Sequence, residues 1–90
     1  MNPDAKYRLD PMVSLRPEPF GALAYHFGPR RLSFLRHPDI VAVVRALDDA
    51  DSVADALAAC DIAPQRHHSF LAALDTLAAS DMILEVSRVP

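Results

Sequence analysis

Four histidines (His26, His37, His67 and His68), the lone Cys60, and Ser69 are the residues in this 90-residue chain with types suited to metal or covalent chemistry. A tetrahedral metal site needs Cys or His pairs close enough to converge on one ion. His67 and His68 are adjacent, and neighbours on a helix diverge by about 100°, so the two do not chelate one ion. No close Cys–Cys or His–His pair at helical spacing supports a tetrahedral site. Cys60 follows Val53 and Leu57 on an apolar helical stripe and reads as a small buried hydrophobe, not a nucleophile. Ser69 has histidines beside it in sequence, but neighbours on one helix do not assemble a triad. The carboxylates fall mostly in loops and helix caps, with no arranged pair. The reading is no enzyme, no metal site and no cofactor.

The remaining chemistry is electrostatic. Residues 1–36 hold six bases (Lys6, Arg8, Arg16, Arg30, Arg31, Arg36) against Asp4, Asp10 and Glu18, while residues 37–90 hold three bases against nine acids. The net charge is −3. A positive first part and a negative second part suit an acidic peptide or protein partner on the first part better than they suit DNA. Cys60 alone excludes an internal disulfide framework and fits a reducing compartment. The opening MNPDAKYRLD has no apolar core of a signal peptide, and no apolar run approaches the roughly 20 residues a membrane span needs. A cytoplasmic protein that avoids membranes is expected.

These residues need elements to position them. At 51% apolar and with two glycines, the chain has the composition of one globular domain, residues 1–90. Residues 1–10 read as a loose lead-in. Val13 and Leu15 alternate with Ser14 and Arg16 in a first strand closed by Pro17 and Pro19. Phe20 to Phe27 reads as a second strand, with Leu23, Tyr25 and Phe27 on one face and Ala22, Ala24 and His26 on the other. Gly28-Pro29 suits a hairpin turn in which the glycine supplies a positive φ. Arg31 to Leu35 is the third strand. A two-residue loop places Tyr25 opposite Leu32 and Leu23 opposite Phe34, giving one continuously apolar hairpin face.

The period then becomes helical. Pro38 suits a first turn, and Ile40, Val43, Val44 and Leu47 follow at i, i+3, i+4 and i+7. The acidic run at Asp48 ends that helix. Ser52 with Asp55 resembles a capping box for a second helix carrying Val53, Leu57 and Cys60. Asp61-Ile62-Ala63 connects to a third helix, Pro64–Ala79, with Phe70, Leu71, Leu74, Leu77 and Ala78 on its apolar face. Met82–Val86 reads as a strand or an extended tail. The class is α+β, a three-stranded antiparallel sheet followed by a three-helix bundle, in the manner of a winged helix-turn-helix with its strands moved forward.

The segment YRLDPMVSLRPEPFGALAYHFGPRRLSFL, followed by the Ile40–Leu47 helix, resembles the mycofactocin biosynthesis chaperones. These are a branch of the PqqD-like recognition elements for ribosomally made, modified peptides. The resemblance runs from about Tyr7 to Val86, and its most specific part is LRPEPFGALAYHF. It implies a non-catalytic protein that holds the leader of a precursor peptide and delivers it to a radical S-adenosylmethionine maturase. The peptide is then expected to add as a strand beside Arg31–Leu35, in the cleft against the third helix. A proline at Ser33 is expected to remove a donor there and weaken capture.

Individual contacts follow from the residue types. Leu32, Ser33, Phe34 and Leu35 offer backbone, Phe70, Ala73 and Leu74 offer pockets, and Arg30, Arg31, Arg66 and His67 offer polar partners for the leader. The rival class is a small winged-helix DNA-binding regulator. Its recognition helix would offer Arg66, two histidines and the acidic Asp75, too little cationic charge for phosphates. An edge-to-edge homodimer through two third strands is a further arrangement the sequence allows.

Overall fold

In the computed structural model, residues 1–86 are described. The order is β1 (Tyr7–Leu9), β2 (Val13–Glu18), β3 (Gly21–His26), β4 (Arg31–Leu35), α1 (Pro38–Ala46), α2 (Val53–Ala59), α3 (His67–Ala79) and β5 (Ile83–Glu85). Strands β2, β3 and β4 form one antiparallel sheet in that order, and β1 pairs with β5 in a second, two-stranded sheet. The α+β class with a three-stranded antiparallel sheet and three helices therefore holds. The second sheet was not foreseen.

The expected hairpin register is present, with Tyr25 opposite Leu32 and Leu23 opposite Phe34. Its apolar face is turned outward, however, and the face of Ala22, Ala24 and His26 is the buried one. Small side chains there let α1 lie close against β3. Val13, Leu35, Ile40, Val43, Val44, Leu47, Leu57 and Leu74 fill the space between sheet and helices. The turn also differs in chemistry. The left-handed residue is Arg30, at φ 58°, and not Gly28.

β2 continues through Pro17 instead of stopping there. Glu18 pairs with Gly21 and Arg16 with Leu23 across the ladder. Pro17 falls between them on an edge strand, where its missing N–H faces away from the sheet.

The helices begin as their caps dictate. The His37 ring accepts from the Asp39 N–H ahead of α1, and Ser52 Oγ accepts from the Asp55 N–H ahead of α2. Such a cap contributes about 1 kcal/mol. α1 tightens into a 3-10 turn over Leu47–Asp49. Cys60 lies at the C-terminal cap of α2, half-buried, and Ala56 takes the inner position expected of it. Pro64 opens a separate 3-10 turn, so α3 proper starts at His67.

Residues 1–10 are not a loose lead-in. Lys6 Nζ donates to the carbonyls of Leu47, Asp48 and Ala50, closing the C-terminal end of α1. The carbonyls of Pro3 and Ala5 accept from the first N–H groups of α2. Met82–Val86 resolves into the strand β5, held to the first segment by Val86 N–H to the Lys6 carbonyl at 2.8 Å. Among the described residues no helix is long and apolar enough to cross a membrane.

Candidate functional site

β4 is an edge strand, and among the described residues no strand pairs with its outer side. Which of its groups face out can be derived from the ladder. Phe27 N–H donates to the Met12 carbonyl at 2.9 Å. Bonding alternates along an antiparallel strand, so Leu23, Tyr25 and Phe27 aim their main-chain groups at β2. Ala22, Ala24 and His26 then aim theirs at β4, where they meet Leu35, Ser33 and Arg31. Leu32 and Phe34 are left pointing their N–H and C=O away from the sheet. This corrects the expectation at Ser33, whose donor is used within the ladder.

Beside that edge lies a groove of about 640 Å³. Leu32, Ser33, Phe34 and Leu35 form one wall, and Phe70, Ala73, Thr76 and Leu77 of α3 form the other. Arg36, His37 and Ile40 close one side where the chain turns from β4 into α1. Phe70 is 7% exposed and Leu77 6%, so both lie at the foot of that wall, while Ala73 is open to the groove.

Two arginines frame the opening. Arg36 lies over the Phe34 ring at 5.3 Å, and Arg66 lies over the Phe70 ring at 5.0 Å. Each contact contributes about 0.5–1 kcal/mol at an exposed site. Arg66 Nη1 also donates to Asp39 Oδ2 at 3.0 Å, tying the start of α3 to the first turn of α1. The hydroxyls of Ser69 and Thr76 donate back to the Arg66 and Ala72 carbonyls, leaving their lone pairs free to accept.

Of the residues singled out from sequence, Leu32, Ser33, Phe34, Leu35, Arg66, Phe70 and Ala73 meet at this groove. Leu74 is fully buried beneath it in the core. His67 turns the other way, its Nε2 2.9 Å from the Ile62 carbonyl. Arg30 and Arg31 are exposed at the far end of β4, outside the groove lining. Sequence reasoning missed Arg36, His37, Ile40, Ser69, Thr76 and Leu77. Helical spacing from Phe70 and Ala73 leads to Ser69, Thr76 and Leu77, which complete the same face. No local signal marks Arg36, His37 or Ile40.

Among the described residues no three His, Cys, Asp or Glu side chains converge to hold a metal ion. Burial, and then the carboxylates of Asp39 and Asp61, push the Cys60 thiol up, which keeps it protonated.

The peptide chaperone MftB family matches residues 6–84. The chain belongs to that family. A relative named peptide chaperone MftB from Mycobacterium ulcerans is 48% identical over 83 residues, covering 92% of this chain and 76% of the relative. One from Mycolicibacterium smegmatis, with the same name, is 45% identical over 83 residues, covering 92% of this chain and 81% of its own length. No solved structure matches the chain. The family assignment agrees with the resemblance carried by LRPEPFGALAYHF, and both the exposed edge of β4 and the groove fall inside the matched residues.

Proposed function

We propose that this chain is a non-catalytic peptide chaperone of mycofactocin biosynthesis. It captures the leader of a ribosomal precursor peptide as an added strand on β4 and presents it to a separate radical S-adenosylmethionine maturase. The observation that carries this reading is the outward main chain of Leu32 and Phe34 alongside an apolar groove. The names of the relatives, peptide chaperones, point to the same class of ligand.

The division of labour follows from the chemistry. Main-chain bonds to Leu32 and Phe34 fix the peptide without demanding particular side chains. Alternate peptide side chains enter the groove against Ile40, Phe70, Ala73 and Leu77, and these set specificity. Acidic leader residues meet Arg36 and Arg66 at the groove, and Arg30 and Arg31 further along the strand. Each exposed pair is worth about 0–1 kcal/mol, so the charges guide encounter and register. Ordering the peptide costs about 2–5 kcal/mol, which apolar contact in the groove must offset.

Comparing Leu32→Ala with Leu32→Pro tests the mechanism. Both remove the side chain, but only the proline removes the outward N–H, and an edge strand tolerates it. Calorimetric titration with the precursor peptide is expected to show the proline variant binding about ten-fold more weakly than the alanine variant, or worse, with unchanged circular dichroism. Equal affinity in the two folded variants would rule out strand addition.

A further inference from the structure

Capture of a peptide on β4 leaves most of the outer sheet face unused. Five large hydrophobic residues are exposed among the described residues: Met12 at 50%, Phe20 at 40%, Phe27 at 58%, Leu32 at 52% and Phe34 at 53%. All five lie in the strand half. Tyr25 packs edge-on against Phe27 with ring centroids 4.9 Å apart, and Phe20 meets Phe34 at 6.1 Å. Across the ladder Tyr25 faces Leu32 and Leu23 faces Phe34, so the patch is continuous over the hairpin. The helices cover the opposite face, that of Ala22, Ala24 and His26. A monomer seldom presents a joined apolar surface of this kind without a partner for it.

The rim is cationic. Arg16 stands beside Leu23 across the ladder, Arg30 and Arg31 stand at the hairpin end, and Arg36 lies over Phe34. Arg16 is engaged by Glu18 at 3.2 Å, whereas Arg30, Arg31 and Arg36 make no ion pair among the described residues. This arrangement argues against a second copy as occupant. Face-to-face pairing would bring two arginine rims together. Docking onto the acidic helical part of another copy would be head-to-tail and would give a ring or an open filament, not a two-fold dimer.

We propose that the outer sheet face docks the maturase, on a surface whose apolar patch is ringed by Asp and Glu carboxylates. This rests on the reading that a separate maturase receives the peptide. Leu32 and Phe34 belong both to this face and to the groove wall, so a peptide held on β4 would lie at the margin of the docked enzyme. Leu23, Tyr25 and Phe27 belong to the face alone.

Phe27→Ser and the pair Arg30→Glu with Arg31→Glu, each in the full chain, test the assignment. Affinity for the purified maturase and for the precursor peptide is measured separately, with sedimentation for the oligomeric state. Phe27→Ser is expected to weaken maturase binding about ten-fold or more while peptide affinity stays within about two-fold. The double charge reversal is expected to weaken maturase binding at low salt and to flatten its salt dependence. Maturase binding unchanged in both variants overturns the assignment. So does a parallel loss of peptide affinity in Phe27→Ser, which would make the face part of the peptide site; the charge reversal is read on maturase binding alone, since Arg30 and Arg31 also meet the leader. A dimer converted to monomer by Phe27→Ser would make a second copy the occupant. If the unmodified chain binds peptide but not maturase, the presentation step of the proposed function fails as well.

Discussion

Single residues fix the geometry on which the groove depends. Gly21 has φ +150°, and a Cβ there would stand 2.1 Å from the Leu35 carbonyl oxygen and 3.1 Å from the His37 nitrogen. Both neighbours are backbone at the end of β4, where neither can move aside cheaply. Gly21→Ala is expected to destabilise the domain by about 2 kcal/mol or more, read as a lower urea midpoint. A midpoint within error of the unmodified chain would mean that β4 does not press on Gly21. The sequence pointed instead to Gly28, because a hairpin glycine looks like a turn residue and the approach of β4 to Gly21 is a tertiary contact.

Asp10 provides a second residue-scale test. Its carboxylate accepts from the Met12 N–H at 2.8 Å, and its other oxygen lies 3.1 Å from His26 Nε2. His26 Nδ1 accepts from the Gly28 N–H, which places the ring proton on Nε2, facing Asp10. The Met12 N–H holds the Asp10 carboxyl below its ordinary value, with His26 and Arg8 adding to this and burial opposing it. A carboxyl lowered in the folded state stabilises fully above its unfolded pKa, and that contribution is lost as pH falls through the folded value. The urea midpoint of the unmodified chain should therefore exceed that of Asp10→Asn at neutral pH, and the gap should close as pH falls through and below the ordinary aspartate range. A gap that persists unchanged once the carboxyl is protonated in both states would show that the charge is not what stabilises.

At the scale of elements, β4 and α3 form the groove and α1 closes it. Much of this pairing was readable. The Leu23–Phe34 register followed from counting back from the turn, and Ser52 announced its helix through a cap three residues ahead of Asp55. Leu74 and Ala73 were harder to separate, since adjacent positions on a broad apolar face diverge by about 100° and only packing decides which is core. Ala73 is exposed to the groove on an otherwise supported helix. Ala73→Leu should leave the melting temperature within about 3 °C, because helix propensity hardly changes. It should nevertheless weaken peptide binding about ten-fold by filling the space a peptide side chain would take. Undiminished affinity would place the peptide elsewhere.

For the whole molecule, the first ten residues lock the arrangement. β1 joins β5 across the sequence, Lys6 closes α1, and the Met1 amino group meets Asp75 of α3 at 3.0 Å. Removing residues 1–9 strands three carbonyls and uncovers Met82 and Ile83, which are 1% exposed. The melting temperature should fall by about 10 °C or more. None of these residues lines the groove, so the truncated chain, where still folded, should retain peptide affinity. Melting unchanged by the deletion would return the segment to a passive lead-in.

Alternation, capping and charge are local properties, so the residues alone determined where strands give way to helices, how the hairpin aligns and which part of the chain is cationic. Packing is not local. It was decided only when α1 needed a close approach and took the alanine face of β3, which sent Tyr25, Phe27, Leu32 and Phe34 outward. The partner of β1 lies more than seventy residues away, and no short-range pattern encodes a pairing over that distance.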